Sequence, residues 1–227
     1  NMSNLFKDNS SFNSDINFWD TSNVVDMSFM FHGASSFNKP LENWDVSNVT
    51  SMNNMFFNAN FNQPINNWDV TNVRFMRYMF QSFPPTRANH PFNQTLANWN
   101  VSGVENFEAM FYNSNFNQEI GQWDISSSSS IRAMFEYTNF NNYIGNWDTS
   151  NITDMSYIFN EAVNFNQDLS GWCVSSISSE PQKFSTNSAL TNPNKPLWGK
   201  EFTIALTSGS TAQTVSATTA IVPVEYT

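Results

Sequence analysis

Tryptophan recurs along this chain at nearly constant spacing, and this regularity constrains the fold more than any other feature of the sequence. The steps between successive tryptophans are 25, 24, 31, 24, 24 and 25 residues. A unit of this length is too short to bury a core of its own, so it must stack on copies of itself. The sequence therefore predicts a tandem repeat folded as a solenoid. The tryptophans are Trp19, Trp44, Trp68, Trp99, Trp123, Trp147 and Trp172.

Each unit carries apolar residues at fixed distances from its tryptophan. Phe-Asn stands seven residues before it, Leu or Ile three before, Val or Ile five after, Met eight after, and a Met-Phe pair eleven and twelve after. Apolar positions at constant phase are what a single-file core needs, with like residues stacked on like. The 22 Phe and 10 Met therefore indicate a protein core rather than a membrane span or a cofactor site.

The sequence of a unit predicts one short parallel strand and one short helix. Residues 151–159 combine an asparagine N-cap, an aspartate three residues later and apolar residues at helical spacing. The segment around Trp-Asp-Val is typical of a short extended strand. We therefore expect an α/β repeat solenoid with right-handed, leucine-rich-repeat-like coils of 24 to 25 residues.

Charge and apolar content argue against two classes of partner. The chain has 19 Asp and Glu against 9 Lys and Arg, and a net charge of −10 would repel nucleic acid. No stretch approaches the roughly 18 consecutive apolar residues of a membrane helix, so we expect no membrane insertion by this segment. A single cysteine, Cys173, rules out an internal disulfide framework.

The composition divides the chain into three parts. Residues 1–184 hold about seven coils, and the opening NMSNLF matches the end of a unit whose beginning is missing. We therefore expect an N-terminally truncated array that is part of a longer chain. Residues 185–198 read as a degenerate C-terminal coil or cap. Residues 199–227 are rich in Thr, Ser, Ala and Val and predict a linker and the start of a β-rich module.

The residue after each tryptophan is the first candidate site. If Trp and Val point inward, the carboxylates lie on one outer face about 4.8 Å apart, where like charges repel. Calcium bound between coils would neutralise them, and an Asx turn onto the following backbone would fix them locally. Asn100 occupies the same position in its unit and favours the Asx turn, because a neutral amide can make that hydrogen bond but is a poor cation ligand. The candidate metal ligands are Asp20, Asp45, Asp69, Asp124 and Asp148.

An asparagine follows the phenylalanine that opens each unit. Stacked side-chain amides can hydrogen-bond one another and the turn backbone along a solenoid. The sequence therefore predicts a structural ladder. Its members are Asn13, Asn38, Asn62, Asn93, Asn117, Asn141 and Asn166.

The longest step, between Trp68 and Trp99, contains an insertion of about seven residues within residues 81–91. Insertions in repeat arrays project as loops, often from the binding face. The cationic and aromatic residues here would recognise an acidic glycan or protein surface. The alternative is a solvated loop whose charge offsets acidic neighbours. The candidate ligand-binding residues are Arg74, Arg77, Tyr78, Phe83, Arg87 and His90.

The sequence offers little for catalysis. His32 and His90 lie in different coils, no Gly-rich phosphate loop is present, and Cys173 has no evident histidine partner. We therefore expect a protein that is not an enzyme and has no resident cofactor, with calcium as the one open candidate.

Two units, FNQPINNWDVTNVRFMRYMF and FNKPLENWDVSNVTSMNNMF, carry a family resemblance. They closely resemble the bacterial surface protein 26-residue repeat, a BspA-like, leucine-rich-repeat-like family of secreted lipoproteins and adhesins. The resemblance covers about residues 1–184 and supplies no catalytic residues. It implies a noncatalytic, extracellular repeat array that mediates attachment or cell-surface structure, and we expect an extracellular protein or glycan as its partner. A calcium-stabilised spacer and a fibre or receptor-binding segment of a virus are the alternatives.

Overall fold

The structure is a computed structural model that describes residues 1–83 and 89–199. Within these ranges the one regular helix is a 3₁₀ helix, Asn192–Asn194, and the rest of the backbone is built from turns, bends and single bridges. The predicted β-rich module lies outside the described residues except for Gly199, and the candidate Arg87 also lies outside them.

Neighbouring units form a parallel bridge at the residue seven positions after the tryptophan, and a further parallel bridge joins His90 to Ser114. Residues one repeat apart therefore lie side by side. The bridged column runs through Asp26, Ser51, Phe75, Asn106, Ser130 and Asp154.

The eight residues that begin at each bridge form what we call a turn ladder. Every second N–H donates to the next unit, as Phe29 does to the Asn53 carbonyl at 2.9 Å. The N–H groups between them close turns within the unit, as Met30 does onto Met27 at 3.2 Å. The turn ladders are residues 26–33, 51–58, 75–82, 106–113, 130–137 and 154–161, with residues 1–8 and 180–187 at the two ends.

The two-turn helix predicted for residues 151–159 is not formed. Tyr157 has φ of 64° and Glu161 of 61°, and residues in this left-handed region interrupt an α-helix. The N–H groups instead alternate between acceptors in the next unit and acceptors in their own unit. The N–H of Tyr157, for example, donates to the Gln182 carbonyl of the next unit at 2.9 Å. The apolar residues at helical spacing therefore lie on the inward side of stacked turns and not on one face of a helix.

The strand predicted around Trp-Asp-Val is also not formed. The N–H of Trp44 donates to the Leu41 carbonyl at 3.1 Å, and that of Val49 donates to the Val46 carbonyl at 2.9 Å. These turns within the unit take the amides that a strand would offer to its neighbour. Parallel pairing accordingly begins further along the chain, at Ser51.

Two rows of phenylalanine fill the centre. The rings of Phe56 and Phe61 are stacked at 4.0 Å within one unit, and Phe56 lies 5.7 Å from Phe80 of the next unit. All three side chains are fully buried. Each such burial contributes roughly 1.5–3 kcal/mol, so the repeated phenylalanines hold neighbouring units together.

In the repeat units from Trp44 to Trp172, the indole N–H of each tryptophan donates a hydrogen bond to the preceding unit. Nε1 of Trp68 donates to the Leu41 carbonyl and Nε1 of Trp99 to the Ile65 carbonyl, both at 3.0 Å. A buried indole N–H needs such an acceptor. The side chain therefore supplies both core volume and a bond between units. The same bond is made by Trp44, Trp123, Trp147 and Trp172.

Candidate ligand-binding surface

The insertion leaves and rejoins the stack between the end of one turn ladder and the start of the next phenylalanine segment. The N–H of Ser82 donates to the Tyr112 carbonyl at 3.2 Å, and the N–H of His90 donates to the Asn113 carbonyl at 2.9 Å. These acceptors are consecutive in the neighbouring unit. Residues 83–89 are therefore added without disturbing the register on either side.

His90, predicted to contact ligand, is instead an interior residue. Its side chain is 1 % exposed, Nε2 donates to the Phe56 carbonyl at 2.9 Å, and Nδ1 accepts the N–H of Phe92 at 3.2 Å. Burial lowers the pKa of His90 to about 4. In the next unit Ser114 accepts the corresponding N–H, from Phe116. The prediction for His90 was wrong because both ring nitrogens are engaged in holding the backbone.

Phe83 stands exposed at the root of the insertion. Its ring meets Phe57 edge-on at 5.1 Å, and Phe57 is stacked on His32 at 4.6 Å. The side chain of Phe83 keeps half of its surface, 52 %, open to solvent. It therefore presents an aromatic face next to a cavity of about 340 Å³ whose walls include Asn58 and Asn89.

The guanidinium of Arg74 is bound to backbone carbonyls. Its Nη1 donates to the carbonyls of Thr71 and Gly103 at 3.2 and 3.4 Å. A Cβ at position 103 would overlap the guanidinium, so Gly103 makes room for it. Arg74 thus links two units and offers less to a ligand than the sequence predicts.

Arg77 and Tyr78 converge on the carboxylate of Glu108, which is not among the residues predicted from the sequence. Arg77 Nη2 lies 2.5 Å from Glu108 Oε2, and the Tyr78 hydroxyl donates to Oε1 at 2.6 Å. Arg132 Nε approaches the same Oε1 at 3.8 Å from the other side. Burial, then the hydrogen bond to Glu108, raises the pKa of Tyr78. The cluster is a connected polar network across three units.

Tyr157 extends this cluster by a pair of cations. The Arg132 guanidinium carbon lies 4.6 Å from the centre of its ring and the Lys183 Nζ lies 5.8 Å from it, both in cation–π positions. We call the whole set the charged row. Its members, which stand nine to eleven residues after the tryptophans of successive units, are Arg77, Tyr78, Glu108, Arg132, Tyr157 and Lys183.

The sequence signal for the charged row was available but divided among units. Glu108 and Arg132 both stand nine residues after a tryptophan, in the same place as Arg77. When the units are aligned by their tryptophans, these residues fall in one column, although they lie in three different units. The two predicted residues Arg77 and Tyr78 belong to the row, whereas Arg74 and Phe83 contact other residues.

A buried carboxyl stands near the charged row. Glu136 is 8 % exposed and accepts a hydrogen bond from Asn160 Nδ2 at 2.7 Å. Burial raises the pKa of Glu136, while the Asn160 bond and the charges of Arg132 and Lys183 oppose that rise. The two cations therefore act on a buried acid as well as on the tyrosine ring.

The aspartates after tryptophan are held by local turns. Asp45 Oδ1 accepts the N–H and the hydroxyl of Ser47 at 2.9 and 2.6 Å, and these bonds lower the pKa of Asp45. Asn100 accepts the N–H of Ser102 in the same way at 3.2 Å. In residues 1–83 and 89–199 no three His, Cys, Asp or Glu side chains gather as a metal site would require. The backbone bond recurs at Asp20, Asp69, Asp124 and Asp148.

The asparagine ladder connects side chain to backbone. Asn117 Oδ1 accepts the N–H of Asn141 at 3.0 Å, and the N–H of Asn117 donates to Asn93 Oδ1 at 2.9 Å. In the part of the chain that the structure describes, the side-chain amides of the ladder do not bond one another directly. The ladder needs an acceptor at each step, and neutral amides provide it without placing like charges in neighbouring units. The other bonds of the series join Asn13, Asn38, Asn62, Asn93, Asn166 and Thr191.

Two overlapping segments, residues 1–112 and 83–198, match one known repeat family. The chain belongs to the family described as "Mycoplasma protein of unknown function, DUF285". Membership of a repeat family, expected from the tryptophan spacing, is thereby confirmed, although the match is not specific to BspA-like proteins. No curated protein and no solved structure matches this member of DUF285.

The residues that the structure describes include no helix with the length and apolar character needed to span a bilayer.

Proposed function

We propose that this DUF285 chain is a right-handed, BspA-like solenoid that serves as a noncatalytic, extracellular segment of a larger cell-surface protein, displaying a surface that binds protein or glycan. The observation that carries the proposal is the contrast between columns. The tryptophan, phenylalanine and asparagine positions repeat nearly unchanged, whereas the charged row differs from one unit to the next. A repeat scaffold with one varied face is typical of binding proteins of this kind.

The charged row suits an acidic ligand group. Arg132 and Lys183 keep their cationic groups against the ring of Tyr157 and near the protein surface. Arg77 is paired with Glu108 at 2.5 Å, whereas Arg132 is 3.8 Å from that carboxylate. A carboxylate or sulfate placed between Arg132 and Lys183 would gain charge-assisted hydrogen bonds without breaking the Arg77 pair.

Binding is tested by immobilising the full chain and adding acidic glycans and extracellular matrix proteins from a defined panel. Arg132→Ala combined with Lys183→Ala is expected to abolish binding to any member of the panel that the wild-type chain binds. Lys7→Ala combined with Lys39→Ala removes the same charge elsewhere and is expected to leave it unchanged. Equal loss in both double variants would show a nonspecific charge effect and would refute the assignment to this row.

Surface display has its own test. Antibodies raised against residues 1–199 are expected to bind intact cells that make the parent protein, and external protease is expected to remove the signal. Labelling that requires permeabilised cells would reject the extracellular placement.

A further inference from the structure

A second cavity lies inside the array, at the step from the Trp68 unit to the Trp99 unit. Its volume is about 290 Å³, and its walls belong to residues 66–71, 98 and 100. Described units stand on both sides of this step. Polar groups of Asp69, Thr71, Asn98 and Asn100 line the cavity, and Trp68 and Val70 supply apolar surface.

Asn98 lacks a hydrogen bond that its counterparts make. In the two neighbouring units, the side chain one residue before the tryptophan donates to the preceding unit. Asn67 Nδ2 donates to the Glu42 carbonyl at 2.7 Å. Gln122 Nε2 donates to the Ala97 carbonyl at 3.3 Å. The side chain of Asn98 is exposed and has no hydrogen-bond partner in residues 1–83 and 89–199, so its amide is available both to donate and to accept.

Thr71 and Asp69 also keep unused hydrogen-bonding atoms. In the preceding unit the hydroxyl of Ser47 donates to Asp45 Oδ1 at 2.6 Å. Thr71 takes the place of that serine, but only its backbone N–H donates to Asp69 Oδ1, at 3.1 Å. Among the described residues, the Thr71 hydroxyl and Asp69 Oδ2 therefore have no hydrogen-bond partner. The cavity wall thus offers a hydroxyl and a carboxylate oxygen to a ligand.

Asn100 adds a donor where most other units have a carboxylate. Its Oδ1 is used in the local turn, because it accepts the N–H and the hydroxyl of Ser102 at 3.2 and 2.8 Å. Its Nδ2 has no partner in the described part of the chain. Asp69 is the one carboxylate among the residues that line the cavity. A neutral amide donor therefore stands in the unit next to that carboxylate.

The same step departs from its neighbours in a further contact between units. Asn72 Nδ2 donates to the Ser47 carbonyl at 2.7 Å, and Asn151 makes the equivalent bond to Ser126. Gly103 stands in the place of these asparagines. The Arg74 guanidinium donates to the Thr71 carbonyl instead, at 3.2 Å. Arg74 is bound to carbonyls and is not part of the cavity wall, so the lining carries no cationic side chain.

We propose that this cavity binds one ring of a neutral sugar. A sugar hydroxyl both donates and accepts hydrogen bonds, which matches a wall that combines a carboxylate oxygen, a hydroxyl and two amides. Trp68 and Val70 supply apolar surface for the C–H groups of the ring. The volume is near the lower limit for small-molecule sites, so it suits one ring rather than an extended chain.

The charge of the lining selects against ions. Asp69 repels an acidic sugar, and the lining has no cation to attract one. A calcium ion prefers several carboxylate oxygens, whereas Asp69 is alone here and the described residues hold no cluster of three acidic or metal-binding side chains. A neutral, hydroxyl-rich ligand is the class that remains.

This inference goes beyond the proposed function, because the two sites share no residue. The charged row stands nine to eleven residues after the tryptophans, whereas the cavity walls lie between two residues before and three residues after them. The charged row is assigned an acidic group and the cavity a neutral one. Acidic and neutral probes therefore test the two proposals separately.

Saturation-transfer NMR on the full chain tests the cavity. The probes are the methyl glycosides of glucose, galactose, mannose and N-acetylglucosamine at millimolar concentration. Saturable binding of at least one of these neutral sugars is expected. The absence of a saturable signal from all of them would overturn the proposal.

Asn100→Asp is the most specific variant, because aspartate forms the same turn in neighbouring units. It keeps the acceptor for Ser102, removes the Nδ2 donor and adds a second carboxylate near Asp69. Sugar binding is expected to weaken about tenfold, the effect of losing one hydrogen bond, while the melting temperature stays that of the wild-type chain. Unchanged binding in this folded variant would contradict the proposal.

A matched pair of double variants tests the position of the site. Thr71→Val combined with Asn98→Ala removes two unused polar groups from the wall and is expected to abolish binding at millimolar sugar. Ser126→Ala combined with Asn146→Ala makes the equivalent changes at the step from Trp123 to Trp147. This control is expected to bind like the wild-type chain, and equal loss in both double variants would overturn the proposal.

The charged row provides the last comparison. Arg132→Ala combined with Lys183→Ala is expected to leave neutral-sugar binding unchanged. A failure of the charged row to bind acidic ligands would therefore leave this proposal standing. Loss of neutral-sugar binding in that variant would place the sugar at the charged row and overturn the assignment to the cavity.

Discussion

His90 Nε2 donates a 2.9 Å hydrogen bond to the carbonyl of Phe56, joining two units beneath the root of the insertion. The other ring nitrogen, Nδ1, accepts the N–H of Phe92 at 3.2 Å, so the two bonds together require a neutral ring that carries its proton on Nε2. Burial accordingly lowers the pKa of His90 from 6.5 to about 4. The structural role of this histidine makes the stability of the fold depend on pH.

Acidification from pH 6.5 towards 4 is expected to destabilise the protein. The unfolded chain binds a proton at His90 in this window and the folded chain does not, so stability is fully present above pH 6.5 and falls as pH falls. The loss is about 3 kcal/mol at 1.36 kcal/mol per pKa unit. Urea unfolding across the window measures it.

His90→Gln is expected to remove this pH dependence, since a glutamine amide does not titrate. His32→Gln, at a partly exposed histidine, is the matched control and should retain it. Retention of the full slope in His90→Gln would assign the effect to another group. The lowered pKa values of Asp20 and Asp45 add a separate loss only at lower pH, as these carboxylates become protonated.

The asparagine ladder is expected to tolerate one charge but not several. Asn117→Asp keeps the acceptor for Asn141 and should cost less than Asn117→Ala, which loses a hydrogen bond worth about 1 kcal/mol. Replacing Asn93, Asn117 and Asn141 together by Asp places like charges in neighbouring units. Denaturant unfolding should then show a cost above the sum of the single variants, reduced by salt. An additive, salt-independent result would contradict the neutral-acceptor explanation.

Left-handed backbone in the turn ladders should be visible in alanine-to-glycine substitutions. Ala133 has φ of 53°, whereas Ala162 is not among the residues with positive φ, and both are buried. Glycine adopts positive φ without the strain of about 1–2 kcal/mol that a Cβ causes. Ala162→Gly is therefore expected to destabilise the protein more than Ala133→Gly, by about this amount. Equal changes in the free energy of unfolding would disprove strain at position 133.

The aspartates after tryptophan are expected to behave as turn formers. Asp69→Asn combined with Asp124→Asn should keep the melting temperature, because Asn100 makes the same turn. The corresponding alanine variants should melt lower. Calcium in place of EDTA should leave the melting temperature of the wild-type chain unchanged. A calcium-dependent rise that the double asparagine variant loses would instead establish a metal site and favour a calcium-stabilised spacer.

The repeat and its core follow from the amino-acid sequence. A tryptophan about every 25 residues, with phenylalanine and methionine at constant phase, leaves stacking as the only way to bury so much apolar surface. The same periodicity located the insertion, the asparagine ladder and the aspartates that follow the tryptophans. These features follow from spacing alone, which is why they were readable without coordinates.

The hydrogen-bond partners of the backbone, in contrast, depend on how the units stack in three dimensions. Apolar residues at helical spacing are compatible with a helix, but Tyr157 and its counterparts adopt positive φ because alternate amides bond the next unit. Likewise the burial of His90 and the meeting of Arg77 with Glu108 depend on contacts between units. The local sequence does not indicate which amide or charged group of a neighbouring unit will be the partner, because that depends on how the units stack.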